Sequence, residues 1–357
     1  MNAGQSRAGT EPRPGPIAPP ARRSERAWQV AGFVLGLGLL GACVGLAVGN
    51  AQTRAQLAGL LDRPLELAAA AGLSAVAVAL PGAHFWLVIR PVRRLRLADT
   101  VAVNAVCTLA GYLPFKLSLA LRVWVHARRD GLPLGVIGAW LAASSVVLVA
   151  GLWPMIAASL WRGSADAWWW AGTAGGLGAS LLAVVGVGRA IGGRRGWRRV
   201  VWGVDRLGVA ALRRAARGRP GRRARAAAVM LSDARTVGLA LGLRGVDAGV
   251  QAARFLVAAQ ALGRPLSVEQ AVLAGATYFL IQALTPTGTL GAREGGAAGV
   301  LALSDAEQVL PLVLAVAAVD TAVTVTLGVI GAAWLRLDRA IARRRTPGGR
   351  SDGAPAR

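Results

Sequence analysis

Long apolar runs alternate with short arginine-rich stretches along almost the whole chain. Full-length runs cover residues 28–48, 66–89, 132–160, 167–191, 236–262 and 308–335. Each holds about the 20 residues that an α-helix needs to cross roughly 30 Å of hydrocarbon at about 1.5 Å per residue. The runs are continuous rather than alternating, which disfavours an outer-membrane barrel. Two further apolar stretches, 99–125 and 267–303, are interrupted at their centres, by Tyr112-Leu113-Pro114 and by Leu284-Thr285-Pro286-Thr287-Gly288. Proline lacks an amide donor and disfavours helix in the residue before it, so each interruption predicts a break within the membrane.

Arginine placement orients these segments. Arg90, Arg93, Arg94 and Arg96 follow the second run, about thirteen arginines and one acid, Asp205, fill residues 189–225, and Arg336, Arg339 and Arg343 to Arg345 follow the last run. All are expected on the cytoplasmic side. That requirement makes residues 99–125 enter and leave from the cytoplasm and residues 267–303 enter and leave from outside. The predicted fold is an all-α polytopic bundle with about six full spans and two re-entrant helical hairpins in an inverted repeat, or alternatively eight plain spans. Residues 1–27 read as a disordered basic cytoplasmic tail, 28–335 as the membrane domain with a cytoplasmic basic loop at 192–228, and 336–357 as a cytoplasmic polar tail. The expected location is the cytoplasmic membrane, with both termini inside.

Composition agrees with this picture: 54% of residues are hydrophobic and only 16% charged, too apolar for an ordinary soluble enzyme. The net charge of +24 sits in loops without interleaved aromatics, so an anionic inner leaflet is its expected partner rather than nucleic acid. Lys116 is the one lysine beside forty arginines, which leaves no Walker-type element. Cys43 and Cys107 lie within apolar runs, and His84 and His126 are far apart, so no disulfide, zinc site or catalytic triad is suggested and no cofactor is expected.

Ionisable residues at membrane depth are costly and therefore candidate functional positions. Arg244, Asp247, Gln251 and Arg254 recur at helical spacing and share one face, which should point into the bundle. Either internal pairing or contact with an anionic headgroup accounts for them. Asp320 in the last run is expected to pair with an arginine. Pro286, Gly288 and Gly291 allow a break and close backbone approach, and Arg293-Glu294 follow immediately. That pair either lines a substrate path or caps the next helix at the outer interface. Lys116 and Arg122 either attract a lipid phosphate or snorkel to the headgroups. Trp168 to Trp170 read as interfacial anchors, and residues 197–217 as a basic amphipathic helix on the inner leaflet.

Leu113-Pro114-Phe115-Lys116 with Arg122, and Pro286-Thr287-Gly288-Thr289-Leu290-Gly291-Ala292-Arg293-Glu294, carry a family resemblance. Over roughly residues 28–335 the chain resembles the flippase-like transmembrane region of bacterial lysylphosphatidylglycerol synthases. That family has a Pro-Gly-Lys/Arg-x-Gly-Glu/Asp element with a later basic residue, and a Pro-x-Gly-Gly-x-Gly-x-x-Glu element. Phe115, Ser118 and Leu119 depart from the first element, Ser144-Ser145 stand where a Glu-Arg pair is common, and Asp320 replaces a basic residue. No stretch corresponds to the soluble aminoacyl-transfer domain, so synthesis of the aminoacyl lipid is not expected. The resemblance implies a protein that binds or translocates an anionic or aminoacylated phospholipid, or lipid-linked, headgroup. Lys116, Arg122, Arg244, Asp247, Arg254, Pro286, Gly288, Gly291, Arg293 and Glu294 are its candidate site. Two other classes stay open: a scaffold for a partner lipid-modifying enzyme, docked on the basic loop, and a membrane-embedded transferase on a lipid carrier. Oligomeric state is not legible.

Overall fold

The computed structural model describes residues 51–60, 62–113, 117–206, 210–263, 266–284, 291–303 and 309–336, with isolated positions between 34 and 49. Expectations for the tail 1–27, the first apolar run, Lys116, Pro286, Gly288 and the tail beyond Arg336 lie outside the described residues. Among the described residues the chain is helical, with no strand.

After α1 (Ala51–Gly59), α2 (Pro64–Ile89) starts with proline in its first turn, where no amide donor is needed, and Glu66 lies at its positive end. Two short helices follow, α3 (Leu97–Ala110) and α4 (Leu117–Arg128), packed on each other. The long helices α5 (Leu134–Arg162) and α6 (Ala167–Gly192) form an antiparallel pair. Gly163 ends α5 in the left-handed region at φ 62°, and Asp166 caps α6 by accepting from the Trp169 amide at 2.8 Å.

The basic segment, expected to carry one amphipathic helix at 197–217, holds three helices: α7 (Arg194–Arg206), α8 (Ala210–Arg217) and α9 (Arg219–Met230). Few residues here break a helix, and arginine is a good helix former. The chain then turns by 85° into α10 (Ala234–Ala261), capped by Asp233. α11 (Val268–Leu284), α12 (Ala292–Leu303) and α13 (Val309–Trp334) complete the described chain.

α2, α5, α6 and α13 are each long and apolar enough to cross a membrane, and the bent α9–α10 pair qualifies as a fifth span. Their outward faces carry large apolar side chains such as Trp153, Leu160, Leu182 and Ile330. The chain is a multi-pass membrane protein. α3, α4 and α12, at 14, 12 and 12 residues, reach only about 18 to 21 Å and do not span alone.

α10 is the central helix, packed against α2, α5, α6, α11 and α13. One apolar cluster joins α5, α10, α11, α12 and α13 through Leu152, Phe255, Tyr278, Leu301 and Val313. Another joins α2, α5, α6, α9 and α10 through Ile89, Trp140, Val184, Met230 and Leu241. Small residues let backbones approach closely, as membrane helix interfaces require. A Cβ on Gly275 of α11 would lie 2.8 Å from the Gln251 carbonyl carbon, and one on Gly151 of α5 would lie 2.8 Å from Arg244 Cβ. These contacts press α5 and α11 onto the polar stripe of α10.

The three tryptophans at the start of α6 do not act alike. Trp168 and Trp170 are exposed, but Trp169 is buried and donates from Nε1 to Ser159 Oγ at 3.1 Å. An i, i+1, i+2 run cannot keep one face on a helix, so the expectation of three anchors is corrected to two.

Candidate functional site

The polar stripe of α10 faces inward. Arg244, Asp247, Gln251 and Arg254 are each no more than 3% exposed. Arg244 Nη1 donates to Asp247 Oδ2 at 2.6 Å, and Arg254 Nη1 donates to Gln251 Oε1 at 2.6 Å. Spacing of three residues brings each pair together on one helical face. Arg254 Nη2 also lies 2.7 Å from Asp320 Oδ1 of α13, an ion pair across two helices.

Arg293 and Glu294 are fully buried, at 0% and 1% exposure, so they do not form a cap in water. Arg293 Nε donates to Glu294 Oε1 at 2.7 Å and its Nη1 to Asp320 Oδ2 at 2.9 Å. Glu294 Oε2 accepts the Gly291 amide at 2.7 Å, tying the carboxylate to the start of α12. Gly291 has φ 79°, the left-handed region where a Cβ is strained. Asp320 thus bridges Arg254 and Arg293, and joins α10, α12 and α13.

Both tyrosines of the chain flank the Arg293 guanidinium, with ring centroids 5.0 Å away for Tyr112 and 4.8 Å for Tyr278. Aromatic faces stabilise a cation, more so without water. The three arginines of this network (Arg244, Arg254, Arg293) face three acids (Asp247, Glu294, Asp320), giving 3 − 3 = 0 formal charge. Polar atoms remain unpartnered along it, among them Arg244 Nε, Asp247 Oδ1, Arg254 Nε and the Tyr278 hydroxyl. A small cleft of about 30 Å³, lined by Leu67, Ala70, Ser74, Val257, Ala315 and Val319, reaches Arg254.

Arg122 of α4 stands apart. Its Nη2 donates to Asn104 Oδ1 of α3 at 2.7 Å, its guanidinium lies 4.0 Å from the Phe85 ring centroid, and Nη1 has no partner. Phe85 in turn meets His84 edge-on at 6.0 Å, and His84 is within electrostatic reach of Arg244. Buried polar side chains therefore run from Arg122 on α4, by way of α2 and α10, to Glu294 on α12.

Of the sequence-predicted residues, Arg254, Arg293 and Glu294 are brought together, with Gly291 at their edge. Arg244 and Asp247 lie along the same stripe, and Arg122 lies at the far end. Lys116, Pro286 and Gly288 fall outside the described residues. Asp320 was expected to pair but not to bridge two arginines, and Tyr112, Tyr278, Asn104 and Phe85 were not singled out. The tyrosines' sequence signal was rarity: the 357 residues hold two, and both lie within apolar runs. Among the described residues no group of three His, Cys, Asp or Glu side chains is placed to hold a metal. Compared with protein-family models, with curated proteins and with solved structures, the chain matches none.

Proposed function

We propose that the protein is a flippase-like lipid carrier of the cytoplasmic membrane, which binds or translocates an anionic phospholipid or lipid-linked headgroup along the buried polar path. The carrying observation is the ion network on α10, α12 and α13, set where charge is costly and with donors left free. A headgroup loses its water on leaving the interface and needs replacement ligands, which paired charges and broken-helix ends provide.

Two features support the re-entrant reading. α3 with α4, and α11 with α12, are packed pairs whose connections fall at the sequence breaks, and three of these helices are too short to span. With α2 on one side of the first pair and α13 after the second, this order supports the reading of an inverted repeat with two hairpins. The arginine clusters support a cytoplasmic side for both termini and for α7 to α9. A likeness to the transmembrane region of lysylphosphatidylglycerol synthases fits the same picture.

The test is transport of headgroup-labelled phospholipid by the purified protein in liposomes. Faster movement between leaflets than in protein-free liposomes is expected, reduced by Glu294→Gln. Movement at the protein-free rate sinks the proposal and favours a scaffold.

A further inference from the structure

Given a lipid path through the bundle, as proposed above, we infer that Arg122 is the headgroup site and that its ligand is a lipid phosphodiester carrying one uncompensated negative charge. Four buried arginines occur among the described residues, and three are paired with acids. Arg122 is 7% exposed and has no carboxylate partner among the described residues. The acids of its neighbourhood are committed elsewhere, Asp130 to His126 at 2.6 Å and Asp99 to Arg129 at 3.0 Å.

The surroundings hold this cation without neutralising it. Asn104 presents a neutral oxygen, and its amide is fixed by donation to the Val78 carbonyl at 2.8 Å. The Phe85 face adds a cation–π contact. Nη1 stays free, and a buried unpaired charge is costly unless a partner arrives. Phe85 lies about one turn from the end of α2, where Arg90, Arg93 and Arg94 begin, so an anion gathered by that basic rim has a short distance to travel.

Charge balance sets the ligand class. Among the described buried arginines, those of the network on α10, α12 and α13 are balanced by its acids, which leaves one positive charge at Arg122. A phosphodiester headgroup such as that of phosphatidylglycerol supplies one negative charge. A phosphomonoester brings about 1.5 to 2 negative charges at neutral pH and overshoots. A zwitterionic or aminoacylated headgroup brings its own cation and leaves Arg122 less fully compensated.

The experiment measures displacement of fluorescent phosphatidylglycerol from the full-length protein in detergent by phosphatidylglycerol, phosphatidylcholine, phosphatidic acid and inorganic phosphate. Phosphatidylglycerol is expected to compete best. Asn104→Asp places a carboxylate where Arg122 already donates, so it should weaken phosphatidylglycerol binding on the order of 30-fold, with the unfolding temperature in lipid-free detergent as the control for folding because the variant also loses the donation to the Val78 carbonyl. Arg122→Gln should weaken it similarly. Equal competition by phosphatidylcholine or phosphatidic acid, or wild-type affinity in both variants, overturns the assignment. Inorganic phosphate competing as well as the lipid overturns the lipid source. Liposome transport separates the two claims: binding lost in Asn104→Asp without any wild-type transport leaves the site standing and removes the carrier. Transport with wild-type headgroup preference in Asn104→Asp removes the site alone.

Discussion

Asp320→Asn removes the one carboxylate shared by Arg254 and Arg293. Arg293 keeps Glu294 at 2.7 Å, whereas Arg254 keeps only the neutral Gln251 oxygen at 2.6 Å. The cost therefore falls mainly on Arg254, which is 2% exposed. Stranding one partner of a buried pair costs about 3 to 5 kcal/mol. Neutral polar contacts between membrane helices contribute only about 0.6 kcal/mol on average, so a charge effect stands clear of them. Arg254→Gln alone leaves Asp320 with Arg293 and should cost less. The double variant should be more stable than the sum of the singles predicts, by about 2 kcal/mol or more. Unfolding of the four proteins in mixed detergent and dodecyl sulfate measures that coupling. A cost below about 1 kcal/mol for Asp320→Asn, or singles that add within about 0.5 kcal/mol, refutes the bridge as a buried ion pair.

Gly291→Leu forces a branched side chain into a left-handed position that also donates to Glu294, and should cost about 1 to 2 kcal/mol and depress lipid transport while insertion stays normal; unchanged transport refutes it. Single cysteines at Arg94 and Arg206 should label only after permeabilisation, and one at Ser164 in intact cells; the opposite pattern at Ser164 or Arg206 overturns the orientation. Asp166 is held below its ordinary carboxylate range by hydrogen bonds from Arg162 and then from the Trp169 amide. Its lowered folded value gives stability that is present above the unfolded value and lost as pH falls through the folded one. Acid titration of unfolding should show that loss in the wild type and not in Asp166→Asn.

The spans were legible because α2, α5, α6 and α13 follow length and hydropathy directly. The stripe from Arg244 to Arg254 was legible for a similar reason, since helical period alone puts those side chains on one face. What period cannot give is the partner across helices. Arg254 was read with Asp247, yet it pairs with Asp320, because packing of α13 against α10 decides which carboxylate arrives. Asn104 was passed over as one polar residue in an apolar run, and its meaning depends on Arg122 approaching from α4. In the basic segment a helix was legible at 197–217, but its division into three helices was not.

The shared carboxylate also has a kinematic consequence. Sliding α10, α12 or α13 past one another would separate charges in a medium that cannot rescreen them, so these three helices have a single common trajectory. Freedom of movement is left to the surfaces where that unit meets α2 and α3, which among the described residues are joined by packing and single hydrogen bonds, such as Trp334 Nε1 donating to Asp99 at 3.0 Å, and not by salt bridges. Spin-label distances between α10 and α13 should accordingly stay fixed with and without lipid, while those from α3 to α13 change. A rigid distance across α3 and α13 together with a variable one across α10 and α13 would place the sliding surface inside the unit and overturn this account.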